Sequence, residues 1–275
     1  MSTIPSTFNQ RQINKTILGG VQENTKVLFP VSCIVIKRTI NQYRGRVFKN
    51  LLAVGFEKII SVEQFSPNFN TEQLSQEVPE VKFLSAHDKV SDGELVNLGM
   101  EEVTTPYVLV LHDDLCIQDF KFSPQLVKKL IEFDIFCVCP RLMTSERQGF
   151  PVRFTPKIDD FVFGVESSLA IVDRAWTLYP YDMAGFYNTD KFKFLGGFDY
   201  TIISPYWQKV DLFLRSWLWG EKILLSSAFS LTYFEDIPSA DQTSDISYLK
   251  FYLKNLLPVF RNDHGEIPAS AFFSF

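Results

Sequence analysis

Short apolar runs alternate with helical patterns along the first half of the chain, and this alternation constrains the fold more than any other feature. The runs are rich in β-branched side chains, which is typical of buried strands. They lie at 31–36, 58–63, 81–84, 107–111 and 135–139, and the helical segments between them lie at 41–54, 88–103 and 122–133. Strands that alternate with helices through short links form right-handed βαβ crossovers. We therefore predict an α/β fold with a mostly parallel sheet.

The second half of the chain has weaker periodicity. Residues 140–180 are interrupted by proline and glycine, and a long irregular stretch in a compact domain is often functional. After it we predict a strand at 182–187, an aromatic helix at 205–219, a last strand at 222–225 and a closing helix at 244–257.

The ends of the chain and its length set the domain boundaries. Residues 1–26 are polar and predict an N-terminal arm, with a short helix at 11–18. The length of 275 residues suits one large α/β domain, which we place at 27–275.

Charge and hydropathy exclude several classes of function. A net charge of −5 and a pI near 5.3 speak against a nucleic-acid surface. No apolar run approaches the roughly 18–20 residues that a membrane span needs, and the N-terminus has no signal-peptide pattern. The four cysteines lie in or beside apolar runs, which favours reduced, buried thiols. We expect a cytoplasmic protein, with peripheral contact to a membrane left open.

A histidine and two acids follow the apolar run at 107–111. His112, Asp113 and Asp114 therefore fall at the carboxyl end of a predicted strand, the edge where open α/β sheets bind ligands. Two adjacent carboxylates repel each other unless a cation or a donor compensates them, and a divalent metal bridging to a phosphate is one such compensator. The alternative is a polar loop in which the acids cap the next helix.

Several short motifs follow one another in an order that resembles the family 2 glycosyltransferases, nucleotide-sugar-dependent enzymes with the GT-A fold. The motifs are Glu63 after the second strand, Asn97-Leu98-Gly99, Asp113-Asp114, Gly196-Gly197-Phe198-Asp199, and Val210-Asp211-Leu212 with Arg215 and Gly220. The resemblance covers about residues 30–230. It implies a Rossmann-like three-layer α/β/α domain, with a nucleotide-sugar-binding half at 27–139, an acceptor half at 140–230 and a C-terminal helix and tail at 231–275.

The resemblance implies a nucleotide-diphosphate sugar as the donor. It assigns donor binding to the loop after the first strand, to the acid after the second strand and to two later polar residues. These residues are Lys37, Arg38, Thr39, Glu63, Asn97 and Asp113. A carboxylate at the second strand end would accept hydrogen bonds from ribose hydroxyls or a base N–H. Glu63 could equally cap its strand and face solvent.

The resemblance also implies a divalent cation, Mn²⁺ or Mg²⁺. The metal-binding motif of the family aligns with His112, Asp113 and Asp114, so the first acid of the motif is a histidine here. Asp114 is the predicted metal ligand, and His112 is a second candidate. A lone histidine at a strand end can equally be a hydrogen-bonded structural residue.

The general base of the family has no counterpart in this chain. Inverting members use a carboxylate to deprotonate the acceptor hydroxyl, and the corresponding positions hold Gln208 and Lys209. A protonated lysine cannot accept that proton unless burial lowers its pKa by several units. Asp211 and Asp199 are the nearby candidates for the base, although Asp211 could instead pair with Arg215 one helical turn away.

The resemblance therefore supports two functions. The first is metal-assisted, inverting transfer of a sugar from a nucleotide-diphosphate sugar to an unknown carbohydrate or glycolipid acceptor. The second is binding of a nucleotide sugar or a glycan without turnover, which Lys209 and His112 favour. A nucleotidyltransferase is disfavoured because no glycine-rich loop follows the first strand, and no dinucleotide fingerprint, P-loop or nucleophile elbow occurs.

Overall fold

The fold is an α/β domain built on one mixed, mostly parallel sheet. The computed structural model describes residues 8, 10–21, 29–38, 44–67, 70–117, 124–159, 162–169, 172–260 and 265–266. Its strands are β1 (Lys15–Gly19), β2 (Val31–Ile36), β3 (Ile59–Gln64), β4 (Lys82–Ala86), β5 (Tyr107–His112), β6 (Leu115–Cys116), β7 (Cys137–Met143), β8 (Arg153–Asp159), β9 (Val162–Ser168), β10 (Gly185–Asn188), β11 (Ile223–Tyr233), β12 (Val259–Phe260) and β13 (Gly265–Glu266).

The helices connect these strands. They are α1 (Arg44–Val54), α2 (Thr71–Glu77), α3 (Asp92–Glu101), α4 (Pro124–Phe133), α5 (Thr189–Phe194), α6 (Pro205–Leu218) and α7 (Ile246–Asn255), and a short 3-10 turn spans Tyr181–Met183. Among the described residues, no helix is long and apolar enough to cross a membrane.

The central sheet has nine strands in the order β1-β4-β3-β2-β5-β10-β7-β11-β6. Strands β4, β3, β2, β5, β7 and β11 point in one direction, while β1, β10 and β6 run against them. The carboxyl ends of β2, β3 and β5 therefore lie side by side. Since every residue of β2 and β5 is buried, these strands form the centre of the core.

Helix α3 packs closely on the sheet because of one glycine. A Cβ atom at Gly99 would lie 3.0 Å from the side chain of Ile34 on β2, so only glycine allows this approach. The helix begins with a capping box in which the Ser91 side chain accepts from the Glu94 amide and the Glu94 side chain accepts from the Ser91 amide. Gly99 is therefore a packing residue.

The predicted α/β class with a mostly parallel central sheet is confirmed. The five apolar runs of the first half correspond to β2, β3, β4, β5 and β7, and the predicted helices correspond to α1, α3 and α4 with shorter bounds. One sheet includes strands from both predicted halves of the domain. The division into a donor half and an acceptor half stays a prediction.

Two local predictions were wrong, and one helix was not predicted. The segment 11–18 contains no described helix; instead Lys15–Gly19 forms an edge strand that pairs with β4, where its polar side chains can face solvent. The polar segment after β3 contains α2, which Asn70 caps by accepting from the Gln73 amide. The stretch expected to be irregular contains the hairpin of β8 and β9. The tail at 269–275 and Thr39 lie outside the described residues.

Candidate functional site

The loops after β2 and β5 meet at the carboxyl edge of the sheet and line a cavity of about 250 Å³. The Asp113 amide donates to the Ile36 carbonyl at 3.0 Å, which holds the two strand ends together. The 3-10 turn and the first residues of α6 complete the wall. Besides two tyrosines, the cavity is lined by six acidic or basic side chains: Arg38, Asp92, His112, Asp182, Lys209 and Asp241.

The guanidinium of Arg38 lies between two carboxylates at this edge. Its Nη1 donates to Asp114 Oδ2 at 2.7 Å, and its Nη2 donates to Asp182 Oδ1. The hydroxyl of Tyr233 donates to the other Asp182 oxygen at 2.9 Å. Burial alone would raise the pKa of Asp182, but the charges of His112 and Arg38 together with these hydrogen bonds lower it. Asp182 is therefore an anion whose two oxygens are both engaged.

The backbone around Asp182 is strained. Asp182 has a φ of 56° and Met183 a φ of 57°, both in the left-handed region that non-glycine residues seldom adopt. Such strain persists only where surrounding contacts enforce it, and it concentrates at functional sites. Here the hydrogen bonds from Arg38 and Tyr233 fix the Asp182 side chain in the cavity wall.

Asp113 positions the loop that carries Arg38. Its side chain is fully buried, and its Oδ1 accepts from the backbone amide of Arg38 at 3.0 Å. Its Oδ2 lies 3.5 Å from Arg44 Nε. Burial raises the pKa of Asp113, and the hydrogen bond from Arg38 and the charge of Arg44 oppose that shift. The contacts of this carboxylate are thus with the protein itself.

Glu63 is the centre of a second buried ion cluster. Its Oε1 accepts from the hydroxyls of Thr71 and Ser85, and its Oε2 lies 2.9 Å from Arg44 Nη1 and 3.3 Å from Lys37 Nζ. Burial would raise the pKa of Glu63, but Arg44 and the hydrogen bonds outweigh it and lower the pKa. Both carboxylate oxygens are therefore engaged, and the side chain faces neither solvent nor the cavity.

Lys209 projects into the cavity from the first half of α6. Its ammonium lies 4.4 Å from the ring centre of Tyr179, 5.4 Å from that of Tyr181 and 5.6 Å from that of Tyr206. Burial lowers its pKa to about 8, against the charge of Asp182, which raises it. The neighbouring Gln208 is fully buried, accepts from the Gly93 amide and donates to the Asp199 carbonyl. Of the two positions that correspond to the base of the family, Gln208 therefore has a structural role and Lys209 presents a cation.

Comparison with solved structures identifies the fold. GalNAc-T7 solved with UDP, GalNAc and Mn²⁺ matches 81% of this chain and 47% of its own, with a TM-score of 0.62 and 11% identity. Staphylococcus aureus TarS matches 80% of this chain and 38% of its own, with a TM-score of 0.59 and 12% identity. Residues 1–349 of TarS in complex with UDP-GlcNAc match 82% of this chain and 64% of their own, with a TM-score of 0.56 and 14% identity.

The chain has the GT-A fold. It spans less than two thirds of each of these GT-A chains, and identities of 11–14% establish the fold alone. No family model matches the sequence, and no curated protein matches it. Membership of family 2 in particular stays a prediction.

In this structure, the residues predicted to bind a metal ion are not arranged to hold one. Arg38 and Tyr233 donate hydrogen bonds to Asp114 Oδ2 and to both oxygens of Asp182. Among the described residues, the buried atoms Asp114 Oδ1 and His112 Nδ1 have no hydrogen-bond partner. In the part of the chain that the structure describes, no three histidine, cysteine or acidic side chains form a group that could hold a metal ion. The positive charge between the carboxylates is instead supplied by the guanidinium.

The remaining predicted residues of the donor site and the base are engaged elsewhere. Asn97 donates to the Phe198 carbonyl at 2.8 Å and accepts from the Phe198 amide at 2.9 Å, so it holds the Gly-Gly-Phe-Asp turn in place. Asp211 is fully buried and accepts from Asn255, Lys254 and Arg215. Asp199 accepts from Lys254 and from Thr201. None of these three predicted side chains is among the residues that line the cavity.

Sequence reasoning missed the residues that complete the cavity wall. Asp182 and Tyr181 come from a segment without a motif, and Tyr206 lies in the aromatic helix of the predicted acceptor half. The one local signal is the run Tyr179-Pro180-Tyr181-Asp182, which combines aromatic rings with an acid after an irregular stretch. Arg44 connects Glu63 with Asp113. It is the first residue of a helix that was predicted from its apolar face alone, so no signal in the sequence indicated this role.

Proposed function

We propose that this chain transfers a sugar from a nucleotide-diphosphate sugar, and that the cavity at the carboxyl edge of the sheet is its donor site. The observation that carries the proposal is the position of a cavity with cationic and anionic walls at the strand ends of a GT-A fold, where open α/β sheets bind ligands. Neighbours with this fold were solved with UDP or UDP-GlcNAc.

A single-displacement transfer with inversion needs a carboxylate near the acceptor hydroxyl. Of the carboxylates that line the cavity, Asp182 is engaged by Arg38 and Tyr233, and Asp241 already accepts from Thr243. Asp92, in the first turn of α3, forms no hydrogen bond or ion pair with a described residue. We assign the base to Asp92 and the acceptor to a carbohydrate or glycolipid hydroxyl.

Calorimetry with a panel of nucleoside diphosphates and nucleotide sugars tests the donor site, with UDP and UDP-GlcNAc first. We expect at least one nucleoside diphosphate to bind, either in EDTA or with Mn²⁺. Failure of every nucleotide in both conditions would refute the proposal.

Release of the nucleoside diphosphate from the bound nucleotide sugar tests the reaction. Asp92→Asn should keep donor binding and lower the rate of transfer by about 100-fold or more, the scale of general-base catalysis. Asp190→Asn is the matched control, because Asp190 also lies in the first turn of a helix but not in the cavity wall. Equal rates in the two variants would remove Asp92 from the mechanism.

Binding without turnover is the second candidate function. The cation of Lys209 stands at the predicted base position, and both carboxylates first considered as bases are held by Lys254. A protein that binds a nucleotide sugar but releases no diphosphate with any acceptor or with water would have this function.

A further inference from the structure

Lys209 is a buried ammonium with no anionic or hydrogen-bonding partner among the residues that the structure describes. Its side chain carries a formal charge, yet only 5% of the residue is exposed. Among the described residues, none accepts a hydrogen bond from it or forms an ion pair with it; its contacts are the rings of Tyr179, Tyr181 and Tyr206. Burying a charge is costly unless it is paired, so an apolar side chain of the same length would fill this space at lower cost.

The three tyrosine rings hold the ammonium in place and offset part of the cost of burying its charge. A cation held over ring faces within about 6 Å is attracted by their negative faces, and the attraction grows when the pair is desolvated. A base needs a free lone pair, but with a pKa of about 8 most of the amine is still protonated at pH 7. Lys209 is therefore a cation presented to the cavity at neutral pH.

The carboxylate that attracts Lys209 is already committed. Asp182 attracts the ammonium, but its two oxygens accept from Arg38 and Tyr233. The other carboxylate beside Arg38, that of Asp114, is likewise bound by that guanidinium. An ammonium has three donors, and in this cavity they can be satisfied only by a ligand or by water.

We propose that Lys209 is the anchor for a phosphate group in the cavity. This rests on the proposed function, in which the phosphate is part of the donor's diphosphate or of a phosphorylated acceptor. The cavity of about 250 Å³ has room for a phosphate beside the ammonium. A phosphate oxygen would accept charge-assisted hydrogen bonds, which are about twice as strong as those between neutral groups.

Lys209→Met and Lys209→Arg test the anchor, with inorganic phosphate, inorganic pyrophosphate and UDP as calorimetric probes in EDTA and again with Mg²⁺. Methionine keeps the length of the side chain and removes the charge, whereas arginine keeps the charge. Lys222→Met is the matched control, because Lys222 also lies over an aromatic ring, 5.8 Å from the centre of Trp176, but outside the cavity wall. Thermal unfolding of each variant confirms that it is folded.

The two sources of the phosphate give different results. If the donor supplies it, UDP and pyrophosphate should bind Lys209→Met roughly 10- to 100-fold more weakly than the wild type, and Lys222→Met should not differ. If the acceptor supplies it, UDP binding should be unchanged, and inorganic phosphate should bind to the UDP-saturated wild type but not to UDP-saturated Lys209→Met. Lys209→Arg should retain binding in either case.

Failure of the anchor can be distinguished from failure of the donor site. Equal affinities of wild type and Lys209→Met for all three probes would overturn the anchor while leaving nucleotide binding intact. If instead pyrophosphate binds in a way that depends on Lys209 but no nucleotide binds, the anchor is supported and the donor site is refuted.

Discussion

The ammonium of Lys254 donates a hydrogen bond of 3.0 Å to the fully buried carboxylate of Asp211, which joins the C-terminal helix α7 to α6. The same ammonium lies 2.7 Å from Asp199 Oδ2. One lysine therefore compensates two acids that the sequence suggested as bases.

Removal of this lysine should destabilise the fold. Lys254→Met leaves two buried carboxylates short of a cation, so we expect the free energy of unfolding to fall by about 2 to 3 kcal/mol. Lys250→Met is the control: it lies one turn earlier on α7 and donates to the Thr201 carbonyl in an exposed position. Urea denaturation measures both variants, and equal losses would mean that the Asp199–Lys254–Asp211 cluster contributes little.

Gly197 should not tolerate a side chain. It has a φ of +66°, and an added Cβ would lie 2.6 Å from Asn97 Oδ1. Gly220 has a φ of +81° but nothing within 4 Å of such a Cβ, so Gly220→Ala reports the backbone strain alone. We expect Gly220→Ala to cost about 1 kcal/mol and Gly197→Ala about 2 kcal/mol more. Equal thermal shifts in the two variants would show that the contact between Asn97 and the turn is dispensable.

Replacement of Arg38 should expose a metal site. In Arg38→Met the carboxylates of Asp114 and Asp182 lose their shared cation, and we expect a loss of about 2 to 3 kcal/mol in EDTA. Mn²⁺ should restore part of that stability, since two carboxylates and the nearby His112 would then be available as ligands.

Thermal unfolding with Mn²⁺ and with EDTA checks this prediction. Arg174→Met, which removes an exposed arginine outside the cavity wall, should show no effect of Mn²⁺. If the wild type gains as much stability from Mn²⁺ as Arg38→Met does, the guanidinium does not take the place of the ion.

The stability cost of Lys209 should depend on pH. Burial holds its folded-state pKa at about 8, below the ordinary value of 10.5, so the unfolded chain binds this proton more tightly. The cost to the folded state is therefore full below about pH 8 and disappears as the pH rises towards 10.5. Lys209→Met should be more stable than the wild type by about 2 kcal/mol at pH 7.

Denaturation at pH 7 and at pH 9.5 measures this difference. The advantage of Lys209→Met should shrink at the higher pH, while Lys222→Met should show no such trend. A Lys209→Met variant that is less stable than the wild type at pH 7 would indicate that the ammonium has a structural partner.

The strands at the centre of the sheet were predictable because a strand buried on both faces must be apolar throughout. This is why β2 and β5 stand out in the sequence. The edge strand β1 and the polar helix α2 were missed because neither segment has a continuous apolar run. Strand β1 is stabilised by pairing with β4, and α2 by the Asn70 cap. Local propensity carries little of that information.

By itself, the sequence determined the α/β class, the positions of the central strands along the chain and the strand end at which His112, Asp113 and Asp114 lie, because hydrophobic periodicity is a local property. Only the tertiary structure decided what each charged side chain does there. Arg38 and Asp182 are 144 positions apart in the sequence and pair at the cavity. Lys254 pairs with Asp199 and Asp211, and among the described residues Lys209 contacts only tyrosine rings. Charge pairing depends on which distant segments pack together, and that is settled by the whole fold.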